Sequence, residues 1–373
     1  MKKGELFDIL AEKTGVRLNG DKPWDIQVHN PDMFKRILRS GTLGLGESYM
    51  DGWWDCERID EMVCKAMATP EAEKMINHNV IVTLHNLIMG LFNLQTIRRA
   101  VHVAEKHYNY DQVVFEAMLD PYMQYSCGYW ERAESLDDAQ LAKMDMICKK
   151  LALQPGMRVL DIGCGWGGLA RYMAEHCGVE VTGINIATEQ LAYAKKHAGN
   201  LPVTYEEKDY RLLTGTWDRI VSVGMFEHVG RRNYHEFFNV ARKCMADDGL
   251  FLLHTVGSNG GENSGFDPWL EKYIFPNSIL PSPASISNGL EKFFVLEDWH
   301  NFGADYDKTA MAWQHNFEDG YRNHAFKCDE RARRMFTYYL TSCAGAFRSR
   351  KIQLWQLVLS PRGINGGYSR PQI

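Results

Sequence analysis

Two hydrophobic periods divide the chain. Up to about residue 100, apolar residues recur at helical spacing. PDMFKRIL (31–38) follows Asn30, a suitable N-cap, and Pro31 suits the first helical position, where its missing N–H goes unneeded. GTLGLGESYMDGWWDC (41–56) reads as a glycine-punctuated turn region with paired tryptophans. NVIVTLHNLIMGLFNLQ (79–95) has helical spacing, with Arg98 and Arg99 just beyond it. His85, Asn86 and Asn93 interrupt it, and a spanning helix needs ~20 predominantly apolar residues. It therefore reads either as the core helix of a small N-terminal domain or as an amphipathic helix lying in a bilayer surface. From about residue 150, short apolar runs alternate with helical stretches. RVLDIG (158–163), VEVTGINI (179–186), VTYEEKDY (203–210), WDRIVSVGMF (217–226) and GLFLLHTV (249–256) are strand candidates, followed later by FFVLEDWHNF (293–302) and KIQLWQLVLS (351–360). Such alternation predicts an α/β fold with a doubly wound, mostly parallel sheet, whose ligands sit at the carboxyl ends of the strands. The expected organisation is a mainly helical N-terminal domain over 1–100 and an α/β domain over 101–373.

Composition adjusts this picture in two places. The net charge of −5 argues against nucleic acid as a general partner. From Arg322 to the C-terminus, however, ten Lys/Arg face two Asp/Glu, a local +8 that leaves −13 for the remainder. A basic end of this kind suggests an anionic partner, a phosphate or a lipid surface, or else a solvated basic face. The nine cysteines form no CxxC pair and no zinc-spaced cluster, and Met1–Asp8 carries no apolar signal-peptide core. Both features predict a reducing, cytoplasmic setting.

The most informative local string is VLDIGCGWGG (159–168). A buried-looking strand ends at Asp161 and breaks at once into Gly163, Gly165, Gly167 and Gly168. Glycine tolerates positive φ and lets a ligand approach the backbone. A dinucleotide loop needs G-x-G-x-x-G, whereas G-C-G-W-G-G preceded by Asp161 resembles motif I of the S-adenosylmethionine-dependent methyltransferases. An acid usually ends the second strand in that pattern and holds the ribose hydroxyls. Asn185 stands there instead, and an amide can also hydrogen-bond a diol.

Further strings extend the likeness along nearly the whole chain. LDPYMQYSCGYW, DRIVSVGMFEHVG, FLLHTVGS, KYIFPNSILP, EDWHNFGADYDKTAMAW, MFTYYLTSCAGAFR, QLWQLV and the segment at 41–56 together resemble the cyclopropane-fatty-acid-phospholipid synthases. The resemblance implies S-adenosylmethionine as methyl donor and, as substrate, an unsaturated acyl chain esterified in membrane phospholipid. It also implies a bound bicarbonate as base, peripheral association with the inner face of the membrane and a homodimer. It assigns the anion site to Cys127, Glu227, His254, the backbone of Val256, and Tyr306. Cys343 matches a family active-site cysteine, although the chemistry requires no thiol nucleophile, and it reads as lining the lipid pocket. For the cofactor the resemblance carries over Tyr125, Ser126, Asp161, Gly163, Gly165, Asn185, Gln190, Asp209 and Tyr210. One departure is HYNYDQ (107–112), where the family often reads HYDxGN. It bears on cofactor affinity or substrate preference more than on reaction class.

The chemistry explains the residue types. An alkene has no N–H or O–H to deprotonate first. Methylation of one carbon leaves a cation on its neighbour, and a proton must leave the new methyl for a ring to close. The site therefore needs a dry cavity, aromatic faces near the cation and a base that does not capture it. Thiol, imidazole and phenol can all donate to an oxyanion. A metal at Glu227, His228 and His254 is not required by this chemistry. The alternatives are a lipid C-methyltransferase giving a methyl-branched, methylene or hydroxylated acyl product, a non-catalytic lipid-binding or S-adenosylmethionine-sensing protein, and a small-molecule N- or O-methyltransferase.

Overall fold

The computed structural model describes residues 11–69, 112–259 and 267–372. The amphipathic segment 79–95, the boundary near residue 100 and all of HYNYDQ except Gln112 lie outside them. The N-terminal segment pairs β1 (Gln27–Val28) with β2 (Trp54–Asp55) around α1 (Asp32–Met50), and α2 (Ile59–Ala68) follows. Asn30 does cap α1: its Oδ1 accepts from the Asp32 N–H at 2.9 Å. The turn expected over 41–56 is mostly helix instead. α1 kinks at Gly41 (φ 57°, ψ −133°) and continues to Met50. The next glycines serve close packing rather than turning, since a Cβ on Gly46 would meet the Trp269 ring at 2.4 Å.

The rest of the chain builds a seven-stranded sheet in the order β5-β4-β3-β6-β7-β9-β8. The strands are β3 (Arg158–Ile162), β4 (Glu180–Asn185), β5 (Val203–Glu207), β6 (Trp217–Val223), β7 (Met245–Ser258), β8 (Val295–Asn301) and β9 (Ile352–Ser360). The first five run parallel, and β9 lies antiparallel to both β7 and β8. Helices cover both faces, so central strands are apolar throughout rather than alternating: Val159, Leu160, Ile220, Val221, Leu252 and Leu253 are all fully buried. The crossovers include α5 (Gly168–Cys177) after β3, α6 (Thr188–His197) after β4 and α7 (Tyr234–Lys243) before β7, while α3 (Gln112–Met118) and α4 (Leu136–Lys150) precede the sheet. The chain winds outward from β3 to β5, then returns to β6 on the other side of β3. That reversal opens a crevice at the carboxyl ends of β3 and β6.

After β7 come α8 (Pro268–Tyr273) and α9 (Pro283–Leu290), and α10 (Asp305–Arg322) and α11 (Glu330–Arg348) precede β9. Trp54, Met33, Trp269, Trp313, Phe317 and Tyr338 share one core, so α1 and α2 pack on α11 rather than standing apart. The charge imbalance is resolved at the same seam. Arg331 pairs with Asp51 at 3.0 Å, Arg334 with Asp55 at 2.7 Å, and Arg348 with Asp60 at 2.6 Å. Arg370 and Arg362 pair with Asp298 and Asp247 of the sheet. Several of the C-terminal arginines are thus matched by this chain's own carboxylates.

Candidate active site

At the end of β3 the chain turns through the glycine loop, and the glycines divide the work. Gly165 holds φ +54° with open space where a Cβ would stand. Gly168 cannot carry a side chain at all, because a Cβ there would lie 1.7 Å from the Tyr122 carbonyl oxygen. The first feature admits a ligand; the second lets the segment after α3 fold down as a lid. Between them lies a cavity of about 250 Å³. Tyr125, Ser126, Asp161, Gly163, Gly165, Asn185, Gln190, Asp209 and Tyr210 all line it, so every cofactor candidate is brought to one place. Trp166, Met225, His228 and Phe275 line it too; they fall inside the recognised strings but were not assigned to the cofactor from sequence. Lys208 and Arg211 also line it and lie outside those strings, brought in by the loop after β5.

Local bonds define what this wall offers. Asp161 is buried, and burial pushes its carboxyl up to about 7 against the pull of Lys143. Its Oδ2 has no hydrogen-bond partner among the described residues, leaving an acceptor beside the cavity. Lys143 is fully buried on α4, drawn down to about 8 by burial, and donates to Gln124 Oε1 at 2.5 Å and Ser126 Oγ at 2.9 Å. It thereby pins two lid residues. Asn185 Oδ1 accepts from the N–H groups of Ile186 (2.8 Å) and Ala187 (3.3 Å), and its Nδ2 donates to Gln190 Oε1 (2.8 Å). Its amide is therefore engaged in shaping the β4 turn. Asp209 caps a short 3₁₀ turn over Tyr210–Leu212 and pairs with Arg211 at 2.7 Å.

The second group sits deeper. The expected strand 217–226 stops at Val223, and a 3₁₀ turn over Phe226–His228 carries Glu227 toward β7. Glu227 Oε1 accepts from the Val256 N–H at 2.6 Å. Its Oε2 is buried without a partner among the described residues, and so is His254 Nε2. Cys127 clusters with Met146, Phe302 and Leu354, against which Val256 and Tyr306 rest. The His254 ring stands edge-on to Phe302 at 5.8 Å. Tyr306 stacks on Phe347 at 4.3 Å, and the Cys127, Glu227, Tyr125 and Cys343 groups all act electrostatically on its phenol. Cys127, Glu227, His254, Val256 and Tyr306 therefore converge from the lid, β6, β7 and α10. Cys343 lies on α11 in the larger aromatic core, and burial pushes its thiol up to about 12.

Desolvation sets the protonation of this pocket. Burial holds the Cys127 thiol and Tyr306 phenol well above their ordinary values, so both keep their protons. Burial, aided by the charges of Lys143 and Lys150, holds His254 well below its ordinary value and therefore neutral. Burial raises Glu227 to about 7, opposed by the Val256 N–H. The result is a dry pocket with neutral donors, one carboxyl group, and two orphaned buried atoms, one on an acid and one on an imidazole. That donor and acceptor set fits a small oxyanion carrying its own O–H.

Comparison with known proteins gives the family. Residues 95–357 match the family model of mycolic acid cyclopropane synthetase. The chain is 52% identical over 358 residues to the cyclopropane-fatty-acyl-phospholipid synthase of Escherichia coli (strain K12), covering 96% of this chain and 93% of that protein. Among solved structures it resembles the cyclopropane synthase MmaA2 from Mycobacterium tuberculosis, with a TM-score of 0.65 and 29% identity over 69% of this chain and 97% of that one. It likewise resembles the mycolic acid cyclopropane synthase CmaA1 complexed with SAH and CTAB, with a TM-score of 0.64 and 29% identity over 69% and 97% of the two chains. The chain therefore belongs to the mycolic acid cyclopropane synthetase family, an enzyme family of S-adenosylmethionine-dependent methyltransferases.

Proposed function

We propose that this protein is a cyclopropane-fatty-acyl-phospholipid synthase, methylating the cis double bond of a phospholipid-bound acyl chain and closing the ring by loss of a proton. The observation that carries the reading is the 52% identity over 96% of the chain to the Escherichia coli synthase. The orphaned Glu227 and His254 atoms support a bound base, since an alkene methylation without proton removal would need neither.

S-adenosylmethionine bound against the glycine loop supplies the electrophilic methyl group. Asp161 would accept from its amino end, Gly165 would give it room beside Gly163, and Asp209, Tyr210, Asn185 and Gln190 would take its nucleoside end. Tyr125 and Ser126 cover it. Cys127, Glu227, His254, Tyr306 and the Val256 backbone would hold a bicarbonate, which would supply the base for the methyl proton. The neutral Cys127, His254 and Tyr306 donate hydrogen bonds, and Glu227 accepts one, so the anion is oriented and its nucleophilicity toward the cation is damped. The faces of Phe302 and Tyr306 stabilise the developing positive charge, and Cys343 forms part of the acyl-chain wall without a covalent role. The protein acts from the cytoplasmic side as a homodimer resting on the bilayer, with residues 1–100 as the membrane- and dimer-related domain and 101–373 as the catalytic one. No helix among the described residues is long and apolar enough to cross a membrane.

The test is incubation with S-adenosylmethionine and vesicles of dioleoyl phospholipid, followed by mass analysis of the released fatty acids. Ring closure adds CH₂ and keeps the hydrogen deficiency. A saturated methyl branch carries two further hydrogens and would select the branched-chain alternative. No conversion at all would leave a binding protein. Glu227→Gln is expected to retain cofactor binding while turnover falls, and unchanged turnover would remove Glu227 from the site.

A further inference from the structure

Behind His254 lies a row of polar groups that the reaction above does not use. The antiparallel register sets His254 on β7 opposite Gln356 on β9, and Gln356 opposite His300 on β8. The three side chains stand abreast across three strands. The last residue of α4, Lys150, reaches into this row with its side chain wholly buried. Its Nζ lies 2.9 Å from Gln356 Oε1 and 3.0 Å from His300 Nδ1. Gln356, also fully buried, places Nε2 3.1 Å from His254 Nδ1.

Donor chemistry orders the row. An ammonium group only donates, so the Gln356 atom facing Lys150 is the oxygen. The atom facing His254 is then the NH₂, which also only donates, and His254 Nδ1 must present a lone pair. A neutral imidazole has one proton, which is left for Nε2, the buried atom with no partner among the described residues. Burial draws Lys150 down to about 7, while Asp298, 3.7 Å away and itself held by Arg370, supports its charge, so the ammonium form that orders the row prevails below about pH 7.

We infer that Lys150 and Gln356 are positioning residues that fix His254 as its Nε2–H tautomer, so that the imidazole points a donor into the anion site. The proposal deepens the reading of His254 as a ligand of the bound base and rests on it. The other tautomer would aim a lone pair at an anion and repel it. The row holds its geometry because a flipped amide would set its N–H groups against the Lys150 ammonium, donor against donor.

The decisive measurement is the ¹⁵N spectrum of histidine-labelled protein without ligands, with the His254 signals assigned by their loss in His254→Gln. A protonated Nε2 and a bare Nδ1 are expected in the wild type. Gln356→Glu places an acceptor at Nδ1, so Nδ1 should become protonated, with kcat falling on the order of 10–100-fold and KM little changed. Lys150→Met frees the amide to turn, and the Nδ1–H form should appear. A wild-type spectrum with the proton on Nδ1, or a Gln356→Glu spectrum like the wild type, would overturn the inference. The wild-type spectrum decides alone if a variant fails to fold. Since the tautomer is read without substrate, the two readings fail separately. The expected tautomer with no cyclopropane product refutes only the function, and product from an Nδ1–H enzyme refutes only the positioning.

Discussion

Glu227 combines a buried carboxyl with a hydrogen bond accepted from the Val256 N–H, and its thermodynamic signature follows. Its folded-state value of about 7 stands above the ordinary 4.5 because burial penalises the charged form. Below pH 4.5 both folded and unfolded chains hold the proton, and the contribution to stability is complete. Between 4.5 and 7 the unfolded chain ionises while the folded one does not, so stability falls as pH rises and the loss is finished near 7. At about 1.4 kcal/mol per pH unit the wild type loses roughly 3 kcal/mol over that window. Glu227→Gln removes the slope: its unfolding midpoint should gain on the wild type from pH 4.5 to 7 and run parallel above it. Melting curves of ligand-free protein across pH 4 to 8 check this, and parallel curves throughout would mean that Glu227 ionises as if solvated. At this scale the sequence was partly legible. Cys127, Glu227, His254 and Tyr306 each sit in a short distinctive string. Lys143 does not, and Gln356 sits in QLWQLV without an assigned role, because a lysine on a helix and a glutamine in a strand read as surface residues until packing buries them.

Among elements, the seam between α11 and the N-terminal segment contrasts two kinds of ion pair. Arg348 reaches Asp60, whose side chain is 1% exposed, and also Asp307. Arg362 reaches Asp247 with both side chains about two-thirds exposed. Removing Arg348 leaves a buried carboxylate with only Arg58, and Arg348→Ala should cost about 2–3 kcal/mol, less than a full buried-pair break because Arg58 remains. Arg362→Ala should cost about 0–0.5 kcal/mol, because exposed pairs are screened. Chemical denaturation of the two variants side by side separates them, and equal losses would contradict the difference in burial. The positions of β3 to β9 were readable from their apolar runs, and so was the β3–loop–α5 turn, whereas β1 and β2 lie in a stretch that reads as helical. The helical course of 41–50 was not, because glycines needed for contact with Trp269 look the same in a sequence as glycines needed for a turn.

Across the whole molecule, the N-terminal segment is structural as well as adjacent. Trp54 and Tyr49 pack with Trp269 and Tyr338 of the α8–α11 face in one core. Deleting residues 1–69 should expose that aromatic face and give a chain that associates or precipitates, as size-exclusion chromatography with light scattering would show. A monodisperse monomer with an unchanged melting point would refute the shared core. Local strings specified the strand order of appearance, the glycine loop and the residue types of both sites, because hydrophobic period and backbone freedom act between near neighbours. Folding settled where the charges went and which way the buried groups point. Arg331 and Arg334 meet acids some 280 residues away, and the His254 proton on β7 answers to Lys150 at the end of α4. Both depend on desolvation and on distances between residues far apart in the chain, which exist only once the core has closed.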